Sequence, residues 1–320
     1  MDSRKNLDGL AVGVMVLLCM LWSLQQISLK AAAAEVSPML MVALRSAVAA
    51  LLVAGVMAWR GERVQRATGR WRPGLLVGLL FALEYLFVAE ALRHTQASHV
   101  VVFLYTSPIF AAFGLHLRLP AERLRPLQWA GIAIAFGGIV LAFGGRGGGT
   151  ATAMETSMLW GDLLALAAGA SWGATTVVIR CSRLSEAPAA ETLLYQLLGA
   201  CVLLGAGALA TGQTALHATP AFWWHLGFQA LIVSFASFLV WFWLLRHYLA
   251  SRLGVLSFLT PILGVVFGAW LLAERLDAAF VAGAGLVLAG VLVVSGHALL
   301  GGWRWRPRAL LGGSRRAGGL

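Results

Sequence analysis

The stretch from Pro108 to Gly144 recurs at Pro261 to Gly296, and no other feature of the chain limits its possible folds so tightly. SPIFAAFGLHLRLPAERLRPLQWAGIAIAFGGIVLAFGG aligns with TPILGVVFGAWLLAERLDAAFVAGAGLVLAGVLVVSG. Ala121-Glu122-Arg123-Leu124 falls on Ala273-Glu274-Arg275-Leu276, and Gly131 and Gly138 fall on Gly283 and Gly290. A chain made of two copies is expected to place its function between them.

Both copies are too apolar for a soluble domain. Hydrophobic residues make up 60% of the chain and charged residues 12%, which marks an integral membrane protein. A helix needs about 20 residues to cross a hydrocarbon core about 30 Å thick. That rule predicts ten spans, near 10–30, 37–59, 73–92, 97–117, 126–144, 158–180, 188–211, 221–245, 252–272 and 278–299. Arg4 and Lys5 precede a first apolar run without a small-residue cleavage site, so that run is expected to stay as a helix rather than leave as a signal peptide.

The formal net charge of +11 has an explanation that does not involve nucleic acid. In alternate loops and the termini, nineteen Lys and Arg residues fall on the side of the N-terminus, among them Arg118, Arg123, Arg125 and Arg180. Four, Lys30, Arg93, Arg146 and Arg275, fall on the other, and Arg45 lies inside a span. The positive-inside rule then places both termini in the cytoplasm, with a bacterial inner membrane as the expected location.

The run Gly144-Gly145-Arg146-Gly147-Gly148-Gly149 reads as a linker. It divides the chain into a first repeat at 10–144, a linker at 145–157 and a second repeat at 158–299, followed by a basic tail at 300–320 with Trp303 and Trp305 among arginines. Five spans per copy is an odd number, so the copies must cross the membrane in opposite directions. The expected fold class is an all-α membrane protein of ten transmembrane helices arranged as two inverted five-helix repeats. Trp22 falls on Trp172 and Pro38 on Pro188, while Arg93-His94 and Ser98 fall on Arg246-His247 and Ser251.

A Trp midway along the first helix of each half, a Pro in each fourth helix (Pro108, Pro261), and Ala-Glu-Arg before a Gly-rich fifth helix together resemble the EamA family of the drug/metabolite transporter superfamily. The resemblance covers nearly the whole chain. It implies a ten-helix secondary carrier whose central cavity is lined by the first four helices of each half, with the fifth helices peripheral. Many relatives export amino acids or other small metabolites.

Several residues stand out as substrate-binding candidates. Trp22, Gln25 and Gln26 share one helix face, and the repeat turns them into Trp172, Thr175 and Thr176. An aromatic beside hydrogen-bonding groups suits a small amphipathic solute, although Gln and Thr also join helices by hydrogen bonds within membranes. Arg45 and Glu84 are charges inside spans, costly at roughly 2.5–3.5 kcal/mol for a central Arg or Asp on insertion scales. They lie at similar depth, about 12 and 13 Å below the far ends of their helices, so an Arg45–Glu84 pair is expected. That pair serves either as a structural bridge or as a site where Glu84 exchanges a proton and Arg45 a substrate carboxylate.

Glu90 near a helix end is a solvated or gate residue, and His99 is a second candidate for proton coupling beside its packing role. Tyr105, a further substrate-binding candidate, precedes Pro108, and Phe258 precedes Pro261; kinks at the two prolines are candidate gates. Trp223, Trp224, Trp241 and Trp243 read as an interfacial belt. Ala133-xxx-Gly137 and Gly285-xxx-Ala289 have small-residue spacing for close helix contact, within the chain or in a homodimer.

Cys19, Cys181 and Cys201 form no metal or redox motif. There is no phosphate-binding loop and no metalloprotease motif, so neither an ATP-driven pump nor an enzyme is expected, and no cofactor. The function expected is a secondary active transporter of a small metabolite, an exporter of amino acids or related compounds, working by alternating access with possible proton coupling. A translocator of lipid or a lipid-linked solute and a passive facilitator are the alternatives. Small-molecule substrate and membrane lipids are the expected partners.

Overall fold

A computed structural model describes residues 8–62, 69–144, 153–248 and 250–301. Residues 145–152 of the expected linker and the tail from 302 onward lie outside the described residues, and residues 153–157, expected as linker, are helical. Ten stretches among those described are helical, long and apolar enough to cross a bilayer. In chain order the helices are α1 (Gly9–Ala31), α2 (Pro38–Trp59), α3 (Trp71–His94), α4 (Ala97–Leu104), α5 (Ser107–Arg118), α6 (Pro126–Gly144) and α7 (Ala153–Arg180), then α8 (Ala189–Ala210), α9 (Pro220–Gly227), α10 (Phe238–His247), α11 (Ala250–Leu256), α12 (Leu259–Leu271) and α13 (Ala278–Gly301). The ten spans divide into five and five, which is compatible with equivalent helices of the halves running oppositely. We call the side of the N-terminus the near side and the opposite one the far side.

Helix starts are fixed by short polar side chains. Asp8 accepts from the Ala11 N–H at 2.8 Å, Ser37 from Leu40 at 3.2 Å and Thr219 from Phe222 at 3.2 Å. Pro38 and Pro220 occupy the first turns that follow, where a missing N–H costs nothing. In a bilayer such capping matters more, because hydrocarbon offers an orphan N–H no partner.

Both fourth spans are interrupted. The first divides into α4 and α5 at Tyr105 and Thr106, before Pro108, and the second into α11 and α12 at Ser257 and Phe258, before Pro261. Proline has no N–H to give the carbonyl four residues earlier, and its ring crowds that carbonyl. The eighth span, expected to be one helix, has three parts: α9, a π-helical segment Phe228–Ser237, and α10. Its counterpart α3 is continuous.

The fifth helices of the two halves, α6 and α13, pack on each other through the repeated glycines. A Cβ on Gly131 would stand 2.9 Å from the Gly290 carbonyl oxygen, and one on Gly138 would stand 2.6 Å from that of Gly283. The relation is reciprocal, with Gly283 against Gly138 at 2.6 Å and Gly290 against Gly131 at 2.4 Å. Only glycine permits this approach. Gly137 and Gly285 meet nothing within 4 Å and, with Ala133 and Ala289, are exposed. The small-residue spacing of Ala133/Gly137 and Gly285/Ala289 therefore does not serve packing between these helices; a different glycine face does. On α7, Gly169 lies against the Phe103 carbonyl and Gly173 against that of Ser107, both at 2.8 Å from a built Cβ. These contacts press the break in the first fourth span onto the second half.

Candidate functional site

A cavity of about 270 Å³ lies where the halves meet. Trp22, Gln25 and Gln26 on α1, Glu84 on α3, Tyr105 at the helix break and Trp172 on α7 all line it. The break of the second half contributes as well, through Gly254 and Ser257. Unwound backbone inside a membrane is tolerated where it lines a cavity, which is where both breaks stand. Sequence reasoning missed Phe81, Tyr85, Gln196 and Phe238, which also line it. Trp241 lines it too, edge-on to Trp22 at 5.6 Å between ring centroids. It is therefore not part of an interfacial belt, whereas Trp223 and Trp224 are 60% and 73% exposed.

The expected Arg45–Glu84 ion pair is not formed. Arg45 Nη1 donates to Gln229 Oε1 at 2.5 Å, and its guanidinium lies 4.3 Å from the centre of the Tyr85 ring. Gln229, fully buried in the π segment, donates in turn from Nε2 to the Gln25 carbonyl at 2.8 Å. Gln25 Nε2 donates to the Tyr85 hydroxyl at 2.9 Å. A closed ring of contacts thus joins α1, α2, α3 and the π segment, and it holds Arg45 behind Tyr85 rather than on the cavity wall. The reason is local: the planar guanidinium has a ring face beside it and an amide oxygen in hydrogen-bond reach, although its Nε is left without a partner. Glu84 is left facing the cavity with Oε2 buried and without a hydrogen-bond partner. Gln26 Oε1 is in the same condition.

Thr175 and Thr176 do not reach the cavity. Their hydroxyls donate to the carbonyls of Ser171 and Trp172 in their own helix, at 3.0 and 3.2 Å. A hydroxyl one atom from Cβ bonds back to its own helix, whereas the longer amides of Gln25 and Gln26 extend beyond it. His99 is also absent from the lining. It is buried, 3.0 Å from both carboxylate oxygens of Asp162, and stacked on Phe280 at 3.6 Å. Asp162 accepts from Thr95 Oγ1 at 2.6 Å as well. Asp162, an acid inside the sixth span, was the legible signal for this second buried cluster. Pro261 is buried in α12 and Pro108 faces a separate space on the near side. Among the described residues no group of His, Cys, Asp and Glu is placed to hold a metal ion.

That near-side space is a vestibule of about 520 Å³, bordered by Glu122, Arg123, Arg125 and Gln128. Trp172 borders both the vestibule and the central cavity. Its ring meets Tyr105 edge-on at 5.4 Å. The near side is not untied, since Arg180 bonds Glu122 at 3.0 Å and Arg70 lies 3.7 Å from Glu191.

The far side is closed by hydrogen bonds between the halves. Glu274 accepts from the Ala97 and Ser98 N–H groups, at 2.6 and 3.0 Å, at the start of α4. Gln96 Nε2 donates to the Arg275 carbonyl at 3.0 Å. Ser37 donates to the Gln213 carbonyl at 2.9 Å, the His217 N–H to the Glu35 carbonyl at 2.8 Å, and Val36 and Leu216 form an antiparallel bridge. Lys30 Nζ caps the end of α3 through the carbonyls of Leu92, at 3.1 Å, and Thr95.

Known proteins resemble the chain at this level. An uncharacterized transporter of Bacillus subtilis is 22% identical over 86% of this chain and 92% of its own. An uncharacterized inner membrane transporter of Escherichia coli is 24% identical over 88% and 90%. A Salmonella typhimurium protein named as a probable amino-acid metabolite efflux pump is 26% identical over 66% and 71%. One crystal structure superposes with a TM-score of 0.61 at 23% identity, covering 91% of this chain and 98% of that one, and so shares the fold. The model of the EamA-like transporter family matches twice, over residues 9–144 and 159–296. The chain is a multi-pass membrane transporter and belongs to the EamA-like transporter family.

Proposed function

We propose that the protein is a secondary carrier that moves a small amphipathic metabolite by alternating access, with the cavity between the halves as its solute site. One observation carries this: the cavity lies behind a near-side vestibule, while its far side is tied shut between the halves. A state of this kind is one half of a rocking cycle around a fixed site. Export is the direction supported, by the name of the Salmonella relative and by a near side that carries most of the positive charge and is therefore cytoplasmic. Both termini then face the cytoplasm of a bacterial inner membrane.

Glu84 is the coupling group of this proposal. Among the described residues it is the one acidic side chain on the wall, and its carboxyl group has no protein hydrogen bond that a proton would disrupt. An intramembrane carboxylate of this kind suits a proton relay. His99, tied to Asp162 outside the cavity, instead fastens the fourth span to the sixth. The test is a screen of amino acids, amines and nucleosides for thermal stabilisation of the purified protein, followed by transport of the strongest binder in proteoliposomes. Glu84→Gln should abolish the response of transport to a proton gradient. Unchanged gradient dependence in that variant would remove Glu84 from the mechanism.

A further inference from the structure

Among the described residues, one ionisable side chain other than tyrosine lines the central cavity, and it is an acid. Glu84 is 5% exposed and lines the wall, and its Oε2 has no partner. Gln26, 3% exposed, presents a second unpartnered acceptor, Oε1. Three of the donors around them are already used, Trp22 Nε1 on Ser237 Oγ at 3.1 Å, Gln25 Nε2 on Tyr85, and Arg45 Nη1 on Gln229, while Arg45 keeps an unpartnered Nε behind the Tyr85 ring. Lys30 is spent on backbone carbonyls at the far end of α3. Buried acceptors left open in a finished fold are complementary to a donor that arrives from outside.

We propose that the cavity binds its solute by a protonated amino group, held by Glu84 with Gln26 as a second acceptor, and that a carboxylate on the solute is dispensable. This assignment rests on the carrier function proposed above and names the chemical class of what is carried. Glu84 sets the sign of the charge, and Gln26 adds a hydrogen bond. A carboxylate brought to the same place would meet the like charge of Glu84, with Arg45 withheld behind Tyr85.

The rest of the wall fits the same class. Trp22, Tyr105, Trp172 and Trp241 surround the acceptors with ring faces and edges. Aromatic rings in a desolvated site attract a cation through their quadrupoles and bury the apolar body attached to it. The Trp22–Trp241 and Tyr105–Trp172 contacts are both edge-on, at 5.6 and 5.4 Å, so each pair holds its rings at steep angles around the site. A monoamine carrying one aromatic ring or a short aliphatic chain matches a cavity of about 270 Å³.

Three probes with one benzyl group separate the possibilities: phenethylamine carries only the ammonium, 3-phenylpropionate only the carboxylate, and phenylalanine both. Binding to the purified full-length protein is measured by calorimetry and by thermal shift. Phenethylamine is expected to bind roughly tenfold or more tightly than 3-phenylpropionate, as a charge-assisted bond in a dry site requires. Glu84→Gln should remove most of that preference, and Glu84→Asp, which keeps the charge, should retain it and so controls for folding.

Equal affinity for the amine and the acid would overturn the proposal. So would an undiminished preference in Glu84→Gln, or failure of phenethylamine to bind at about 10 mM. Proteoliposome exchange separates this from failure of the carrier assignment. Exchange of phenylalanine without amine preference leaves a carrier of another solute class, whereas tight amine binding with no exchange leaves a binding site in a protein that does not carry.

Discussion

Replacing Glu274 with Ala should open the far side. Its carboxylate makes two hydrogen bonds, 2.6 and 3.0 Å, to the first N–H groups of α4, where the helix dipole also favours a negative charge. Fully buried, each charge-assisted bond would be worth about 1.5–3 kcal/mol. Glu274 is half-buried, and N-cap losses run to about 2 kcal/mol, so about 2 kcal/mol for the pair is the appropriate scale. That is roughly thirtyfold in the balance between closed and open far sides. The reporter is a cysteine in place of Ser257 on the cavity wall, in a background lacking Cys19, Cys181 and Cys201. A membrane-impermeant maleimide applied from the far side should label it up to about thirty times faster in Glu274→Ala. Labelling rates within twofold of each other would refute the reasoning, because the bonds would then contribute nothing to closure.

Trp172 separates vestibule from cavity, so Trp172→Ala should speed near-side labelling of the same cysteine and weaken solute binding, both read on the purified protein. Thr175→Val and Thr176→Val should leave affinity unchanged, since those hydroxyls bond their own helix. Gly138→Val should destabilise the protein by about 1–3 kcal/mol through overpacking against Gly283, seen as a lower Tm, whereas Ala133→Val on the exposed face of α6 should not.

The fold was legible because duplication and span counting use whole-segment properties. Pro108 and Pro261 marked the interrupted fourth spans, since a missing N–H acts wherever proline stands in a helix. Gly131, Gly138, Gly283 and Gly290 were visible as matched positions, but nothing in their spacing distinguished the packed face from the exposed one bearing Gly137 and Gly285. That choice is made by the partner helix. The site was legible in part. Trp22, Gln25, Gln26 and Trp172 showed as polar and aromatic groups on equivalent faces, and Glu84 as a charge within a span.

Arg45 was assigned the wrong partner because depth along a helix axis says nothing about rotation around it. Gln229 was invisible for a related reason: the π segment that carries it has no proline or glycine breaker inside it, and its equivalent in α3 is regular. Trp241 looked interfacial from its place near a span end, yet its ring turns inward to Trp22. Asp162 was overlooked beside the more conspicuous His99, although a lone acid in an apolar span is costly enough to need a partner.

Transport by alternating access requires the far side to part, and one covalent lock tests that directly. Val36 and Leu216 are paired in an antiparallel bridge, a geometry with Cα atoms about 4.5–5.5 Å apart that suits a disulfide. With both changed to Cys, in the background without native cysteines, the oxidised protein should still bind solute from the near side and fail to transport it, and a reducing agent should restore transport. Transport at the unlocked rate with the disulfide intact would contradict the account.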